Sequence, residues 1–144
     1  MNIRKIHIND YDFISSLVRE FFDESIGKYG FSINDDQVRQ MVVAAESSSF
    51  VAEHDGKVVG VIGGLVENGI GTTDKLYREI IWYVNENYRT CGVRLLKHCE
   101  AWCKENNIKH MVVCNMGNLN DSKLERFFNR CGYELFEKQY IKEF

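Results

Sequence analysis

Residues 77–96, Tyr-Arg-Glu-Ile-Ile-Trp-Tyr-Val-Asn-Glu-Asn-Tyr-Arg-Thr-Cys-Gly-Val-Arg-Leu-Leu, constrain this chain more than any other stretch. Tyr77 to Val84 reads as a buried strand, Asn85 to Gly92 as a polar turn, and Val93 opens a helix. A strand that passes through a glycine-bearing turn into a helix N-terminus makes an anion site. The N–H groups of the first helical turn have no partner within the helix, and the dipole adds partial positive charge there. Gly92 lets a ligand approach the backbone, and Arg89 and Arg94 bring charge suited to phosphate. Neither G-x-x-x-x-G-K-S/T nor G-x-G-x-x-G is present, so this is not a P-loop or a dinucleotide fingerprint. A bare strand–turn–helix is common to α/β proteins and does not name a ligand.

The flanking chain supplies the rest of a mixed α/β domain. Ile3 to Ile8 alternates as a first strand. Phe13, Ile14, Leu17, Val18, Phe21 and Phe22 then follow a helical spacing that ends near Gly27. A second helix, capped by Asp35 or Asp36, carries Val38, Met41, Val42 and Ala45 and stops in Ser47–Ser49. Phe50–Glu53 and Lys57–Val66 form a hairpin about Asp55-Gly56. Gly60, Gly63 and Gly64 inside the return strand imply either a bulge against a bulky neighbour or a ligand passing over it. After the opening stretch come a helix with Leu95, Leu96, Cys99, Trp102 and Cys103, a strand over Lys109–Asn115, and a helix closed by Cys131-Gly132. A final strand is expected over Tyr133–Ile141. The order β-α-α-β-β-β-α-β-α-β predicts a mixed sheet with helices on both faces.

At 144 residues the chain is read as one domain, 1–144. A net charge of −3, with no basic cluster, excludes nucleic-acid binding by electrostatics. No apolar run approaches a membrane span, and no leader-like segment opens the chain. Five cysteines with no C-x-x-C pair read as reduced thiols, which places the chain in the cytoplasm. Cys99 and Cys103 are one helical turn apart but lack further convergent ligands, so no metal site is expected.

Trp82 to Arg94 resembles the signature of the GNAT superfamily of acyl-CoA-dependent N-acyltransferases. There a strand ends in Val, polar residues follow, and Arg/Gln-x-x-Gly-x-Gly/Ala opens a helix. Leu124 to Tyr133 (Leu-Glu-Arg-Phe-Phe-Asn-Arg-Cys-Gly-Tyr) is similar to a second family motif, and the Asp55–Gly60 hairpin to the family's second and third strands. Trp82, Val84 and Glu100-Ala101-Trp102 are also similar to small GNAT proteins of bacteriophages. The resemblance implies a mostly antiparallel sheet splayed at the CoA site. It implies acetyl-CoA and an amine acceptor (small molecule, peptide or protein) as substrates, no metal, and assemblies that include a homodimer. Tyr83 and Val84 would meet the pantetheine arm. Arg89, Thr90, Cys91, Gly92, Val93 and Arg94 would hold the pyrophosphate. Asn120 and Ser122 would lie beside the pantetheine, with Phe127 and Phe128 packed on it.

Two positions depart from the family pattern. Arg94 stands where a small residue is expected, and Phe128 stands where many relatives carry a tyrosine that protonates the leaving thiolate. These departures motivate an alternative, a catalytically silent GNAT-like domain that binds CoA or a partner. For catalysis the candidates are Glu79, Tyr83 and Tyr133. Glu79 precedes Val84 by five residues, so strand alternation sets the two on opposite faces unless a bulge resets the register. The first two helices, rich in acids such as Glu20, Glu24 and Asp35, would border the acceptor pocket.

Overall fold

The structure is a computed structural model that describes residues 1–116 and 121–144. Five strands, β1 (Asn2–Lys5), β2 (Phe50–His54), β3 (Lys57–Asn68), β4 (Lys75–Val84) and β5 (His110–Val112), lie in the order β1-β2-β3-β4-β5. Neighbours are antiparallel except β4 and β5, which run parallel. Helices α1 (Tyr11–Glu24) and α2 (Asp35–Ala44) precede β2, α3 (Gly92–Glu105) joins β4 to β5, and α4 (Asp121–Arg130) follows.

Strand alternation sorts the core into two layers. Phe50, Ala52, Ile62, Tyr77 and Val84 pack with Leu95, Leu96, Cys99 and Cys103 of α3 and with Phe128 of α4. Val51, Val58, Val61 and Tyr83 face the other way, against Ile14 and Leu17 of α1 and Val38 and Val42 of α2. Leu95 and Leu96 are fully buried. Each contributes about 1.5–3 kcal/mol of burial, which fixes the roll of α3 against the sheet.

Several boundaries differ from the sequence expectation, each for a local reason. β1 stops at Lys5 because the Asp10 carboxylate accepts the His7 N–H at 2.9 Å and two bonds from Arg4 at 2.8 Å, drawing the chain into a 3-10 turn. Asn34, not Asp35 or Asp36, caps α2: its Oδ1 accepts the Gln37 N–H at 3.1 Å. The turn after β4 is itself helical, a 3-10 segment over Glu86–Cys91 that runs into α3. β5 covers only three residues. Residues 133–144 form no strand, because the ladder they would extend is so short.

The strand glycines are resolved in favour of packing. A Cβ on Gly64 would lie 2.4 Å from the Arg78 carbonyl oxygen and 2.6 Å from the Tyr77 ring. One on Gly60 would lie 2.9 Å from Val84. β3 therefore carries glycine so that β4 side chains can cross over it.

Candidate active site

β4 pairs with β5 only through Leu76, Tyr77 and Arg78, opposite His110, Met111 and Val112. From Glu79 to Val84 it keeps its β3 partners at every residue but Ile80 and has no β5 partner. Among the described residues the sheet is therefore open along the last six residues of β4. The β3–β4 register shifts between Gly63 and Gly64, which pair with Ile81 and Glu79 and leave Ile80 as an extra residue. A bulge of this kind bends its strand and reverses the facing of everything beyond it. Glu79 consequently shares a face with Val84, the face covered by α3 and α4.

The Glu79 side chain lies in the mouth of this opening. Its Oε2 accepts the backbone N–H of Cys114 at 2.8 Å, and the residue is 5% exposed. Burial pushes its carboxyl up from the ordinary 4.5 to about 7, with the Cys114 N–H drawing it partly back. Such a group changes charge near neutral pH, as a general base should. The Cys114 thiol sits 3.9 Å from the Glu79 carbonyl oxygen, and burial followed by the nearby carboxylate pushes it up to about 11. It is a neutral thiol at neutral pH.

Above the opening stands the N-terminus of α3. Cys91, at its cap position, makes no side-chain capping bond, so the first-turn N–H groups meet no capping side chain. Gly92 is buried and helical, with φ −58. A Cβ there would lie 3.6 Å from Val84 and 3.7 Å from the Trp82 indole, ordinary contact distances. Neither backbone conformation nor crowding requires this glycine. The Trp82 Nε1 donates to the Gly92 carbonyl oxygen at 3.1 Å and ties strand to helix. Trp82 also faces Phe127 and Phe128, with ring centres 6.2 and 5.9 Å away. Phe128 is buried and packs on Tyr133, 5.4 Å away.

The remaining expected residues separate into distinct neighbourhoods. Tyr83 is on the face opposite Glu79, where its hydroxyl donates to Glu24 at 2.6 Å and to Glu20 at 3.3 Å. Burial, then Glu24, raises its pKa. Arg89 is also turned to this side: it bonds Glu24 at 2.7 Å and lies 4.8 Å over the Tyr83 ring. Burial raises the Glu24 carboxyl, but Tyr83 and Arg89 together outweigh it and leave the group below its ordinary value. Tyr133 donates to Glu100 of α3 at 2.9 Å, and burial followed by that carboxylate raises its pKa. Both phenols are thus held by carboxylates rather than offered to the opening.

Cys91 is 3% exposed, and burial raises its thiol despite Arg94 nearby, which makes it a poor nucleophile. Thr90, Val93 and Arg94 are exposed. Arg94 lines an open hollow with Asn2, Ile3, Lys97 and His98, next to β1. Ser122 is exposed on α4, and Asn120 lies outside the described residues. Of the acids expected beside the acceptor, Glu20 accepts from Asn85 at 3.0 Å, and Asp35 accepts from Ser15 and Arg19.

Cys114 and the Glu24–Arg89 pair carry no local signal. Their partners are 35 and 65 residues away, and neither spacing belongs to any helical or strand period. Among the described residues, no group of three or more His, Cys, Asp or Glu could hold a metal ion. No described helix is long and apolar enough to cross a membrane.

The sequence profile of the Acetyltransferase (GNAT) family matches residues 11–133. The chain belongs to the GNAT acetyltransferase family. Solved structures share its fold. A ribosomal-protein-alanine N-acetyltransferase from Brucella melitensis biovar Abortus 2308 superposes with a TM-score of 0.77 at 16% identity, covering 99% of this chain and 98% of that one. A Trypanosoma brucei acetyltransferase gives 0.75 at 12% identity over 99% of both chains. An aminoglycoside acetyltransferase from an uncultured soil metagenomic sample, in complex with sisomicin, gives 0.69 at 20% identity, over 99% of this chain and 93% of that one. No curated protein sequence matches. Membership of the family supports an acyl-transfer enzyme and leaves the acceptor unspecified.

Proposed function

We propose that this GNAT chain transfers acetyl from acetyl-CoA to a primary amine by direct attack, with Glu79 as the general base. The observation that carries this reading is the Ile80 bulge, which puts the Glu79 carboxyl on the Val84 face at the mouth of the opening. The residues fit an acyl-CoA. The edge of β4 offers backbone groups to an extended arm, and the first turn of α3, which no side chain caps, offers N–H groups beyond that of Gly92, itself donated to the Arg89 carbonyl oxygen, to a pyrophosphate. A Cβ on Gly92 would meet only ordinary contacts, so packing alone does not call for a glycine there. Trp82, Phe127 and Phe128 form an aromatic layer beside it.

The thioester supplies the electrophile. The chain contributes three things: it orients the acyl group in the open sheet, presents β4 backbone N–H groups to the carbonyl oxygen, and removes a proton from the incoming ammonium. Glu79, poised near pH 7, takes that proton directly or through one water. Phe128 has no proton to give, and the hydroxyls of Tyr83 and Tyr133 are engaged by carboxylates. The leaving thiolate is therefore protonated from water, or by the proton that Glu79 has accepted.

The reading is tested by incubating the full chain with acetyl-CoA and a panel of primary amines while following free thiol. Turnover with at least one amine is expected, and Glu79→Gln should lower kcat by about 10²–10⁴-fold while acetyl-CoA still binds. Undiminished kcat in that variant refutes the role of Glu79. Stabilisation by acetyl-CoA without thiol release from any amine would favour the silent CoA-binding domain instead.

A further inference from the structure

A second hollow, of about 300 Å³, lies between α1, the start of β3 and the 3-10 turn after β4. Phe13, Leu17 and Glu20 of α1 line one side, and Lys57, Asn85 and Tyr88 the other. Leu17 packs in the layer that holds Tyr83, whereas Glu79 shares the opposite face with Val84. The hollow therefore lies across the sheet from the Glu79 carboxyl. It carries two opposite charges that the chain does not pair. Glu20 Oε2 accepts from the Asn85 amide at 3.0 Å and from the Tyr83 hydroxyl at 3.3 Å, both neutral donors, and Oε1 accepts from no described residue. Glu24, one helical turn on, has Arg89 as its cation. Among the described residues neither Glu20 nor the exposed Lys57 forms an ion pair. Asn85 is itself fixed, since its N–H donates to the Val59 carbonyl oxygen at 2.9 Å and its Oδ1 accepts the Asn87 N–H at 3.1 Å. The Glu20 carboxylate is thus held in place before any ligand arrives.

We propose that this hollow binds a small zwitterion of the α-amino acid class with an apolar side chain. Its ammonium meets Glu20, its carboxylate meets Lys57, and its side chain lies against Phe13 and Leu17. Phe13 is 39% exposed and gives the hollow an apolar wall, and the Tyr88 ring is set by the His54 ring 5.2 Å away. A volume of about 300 Å³ is at the small end for ligand sites, so it admits a ligand of this size and not a nucleotide or a folded peptide. Charge-assisted hydrogen bonds at both ends are stronger than neutral ones. A simple cation would face Lys57, and a simple anion would face Glu20, so each singly charged ligand meets a like charge. Only a molecule with both charges answers both residues. Asn85 and Tyr88 belong to the turn that carries Arg89 into α3, so an occupant touches the element that leads to that helix.

Titration of the full chain with leucine, methionine and phenylalanine, followed by the NMR shifts of its backbone amides, tests this. No acetyl-CoA is present, so the result is independent of the acyl-transfer reading. At least one amino acid should bind with a Kd of about 1 mM or tighter and shift the amides around Phe13, Glu20, Lys57, Asn85 and Tyr88. Its amide, which lacks the carboxylate, and its deamino acid, which lacks the ammonium, should each bind about tenfold more weakly or worse. Glu20→Gln should weaken the amino acid about tenfold. Lys57 is exposed at the start of β3, so Lys57→Glu should fold, as circular dichroism will check, and should reverse the preference so that the amide binds more tightly than the amino acid. No binding by any of the three, equal binding of a singly charged analogue, shifts confined to other residues, or an unaltered preference in Lys57→Glu overturns the proposal. Conversion of the bound amino acid to its N-acetyl derivative once acetyl-CoA is added, lost in Lys57→Glu, would make the hollow part of the acceptor site and overturn its separateness.

Discussion

The Glu79 carboxylate accepts the Cys114 backbone N–H at 2.8 Å, across the point where β4 and β5 have just ceased to pair. A side chain therefore stands where the next ladder bond of the sheet would have been. This gives the buried acid a partner and holds the two strands at a defined separation.

The burial of Glu79 has a signature in stability. Its carboxyl titrates near 7 in the folded chain and near 4.5 when exposed. Below about 4.5 both states are protonated. Between 4.5 and 7 the unfolded chain loses its proton while the folded chain keeps it, so stability falls as pH rises, and it levels off above 7. The loss is about 3 kcal/mol. Glu79→Gln can still accept the Cys114 N–H but cannot ionise. It should be more stable than wild type at pH ~8 by up to that amount and show a flatter pH profile in urea unfolding. Equal slopes for the two proteins would show that Glu79 is solvated in solution. In the wild type kcat should rise with pH through about 7.

Gly92 and Gly64 predict opposite outcomes for the same substitution. Gly92→Ala meets only ordinary contacts in a helical backbone. Stability should hold or rise by up to about 1 kcal/mol, while affinity for acetyl-CoA falls about tenfold or more by crowding the first turn of α3. Gly64→Ala drives a Cβ into the Arg78 carbonyl and the Tyr77 ring and should cost about 1–3 kcal/mol or more. Thermal unfolding with and without acetyl-CoA separates the two. Unchanged ligand stabilisation in Gly92→Ala would place the ligand elsewhere.

Arg89 is paired to Glu24 on α1 and sits in the turn that leads into the N-terminus of α3, where the pyrophosphate is proposed to bind. Both partners are substantially exposed, so the pair is worth only about 0–1 kcal/mol. Glu24→Gln should therefore change stability little, and the released Arg89 should lower KM for acetyl-CoA. Arg89→Ala should raise KM. Steady-state kinetics at low salt will read this, and identical KM in both variants would confine Arg89 to tethering α1.

Most of the fold was legible because the signals are local. The period of Phe13 to Phe22, the stripe from Leu95 to Cys103 and the Asp55-Gly56 turn each lie within one element, and each element formed. The resemblance carried by Trp82 to Arg94 was legible for the same reason, since its spacing is contiguous. The strand glycines allowed two readings, and only the approach of Tyr77 and Arg78 to Gly64 decided for packing. The strand expected over residues 133–141 failed because pairing depends on a partner edge, which its own alternation cannot report.

By itself the sequence determined the helices, the first five strands and their order, and the contiguous spacing that carries the family resemblance. All of these follow from short-range periodicity and spacing. Only the tertiary structure decided which face Glu79 occupies, because one extra residue in β4, Ile80, inverts every side chain beyond it. Tertiary structure also turned Tyr83 and Arg89 toward Glu24, 59 and 65 residues away. Charges buried or paired at such separations find their partners only when the sheet and its helices have closed around them.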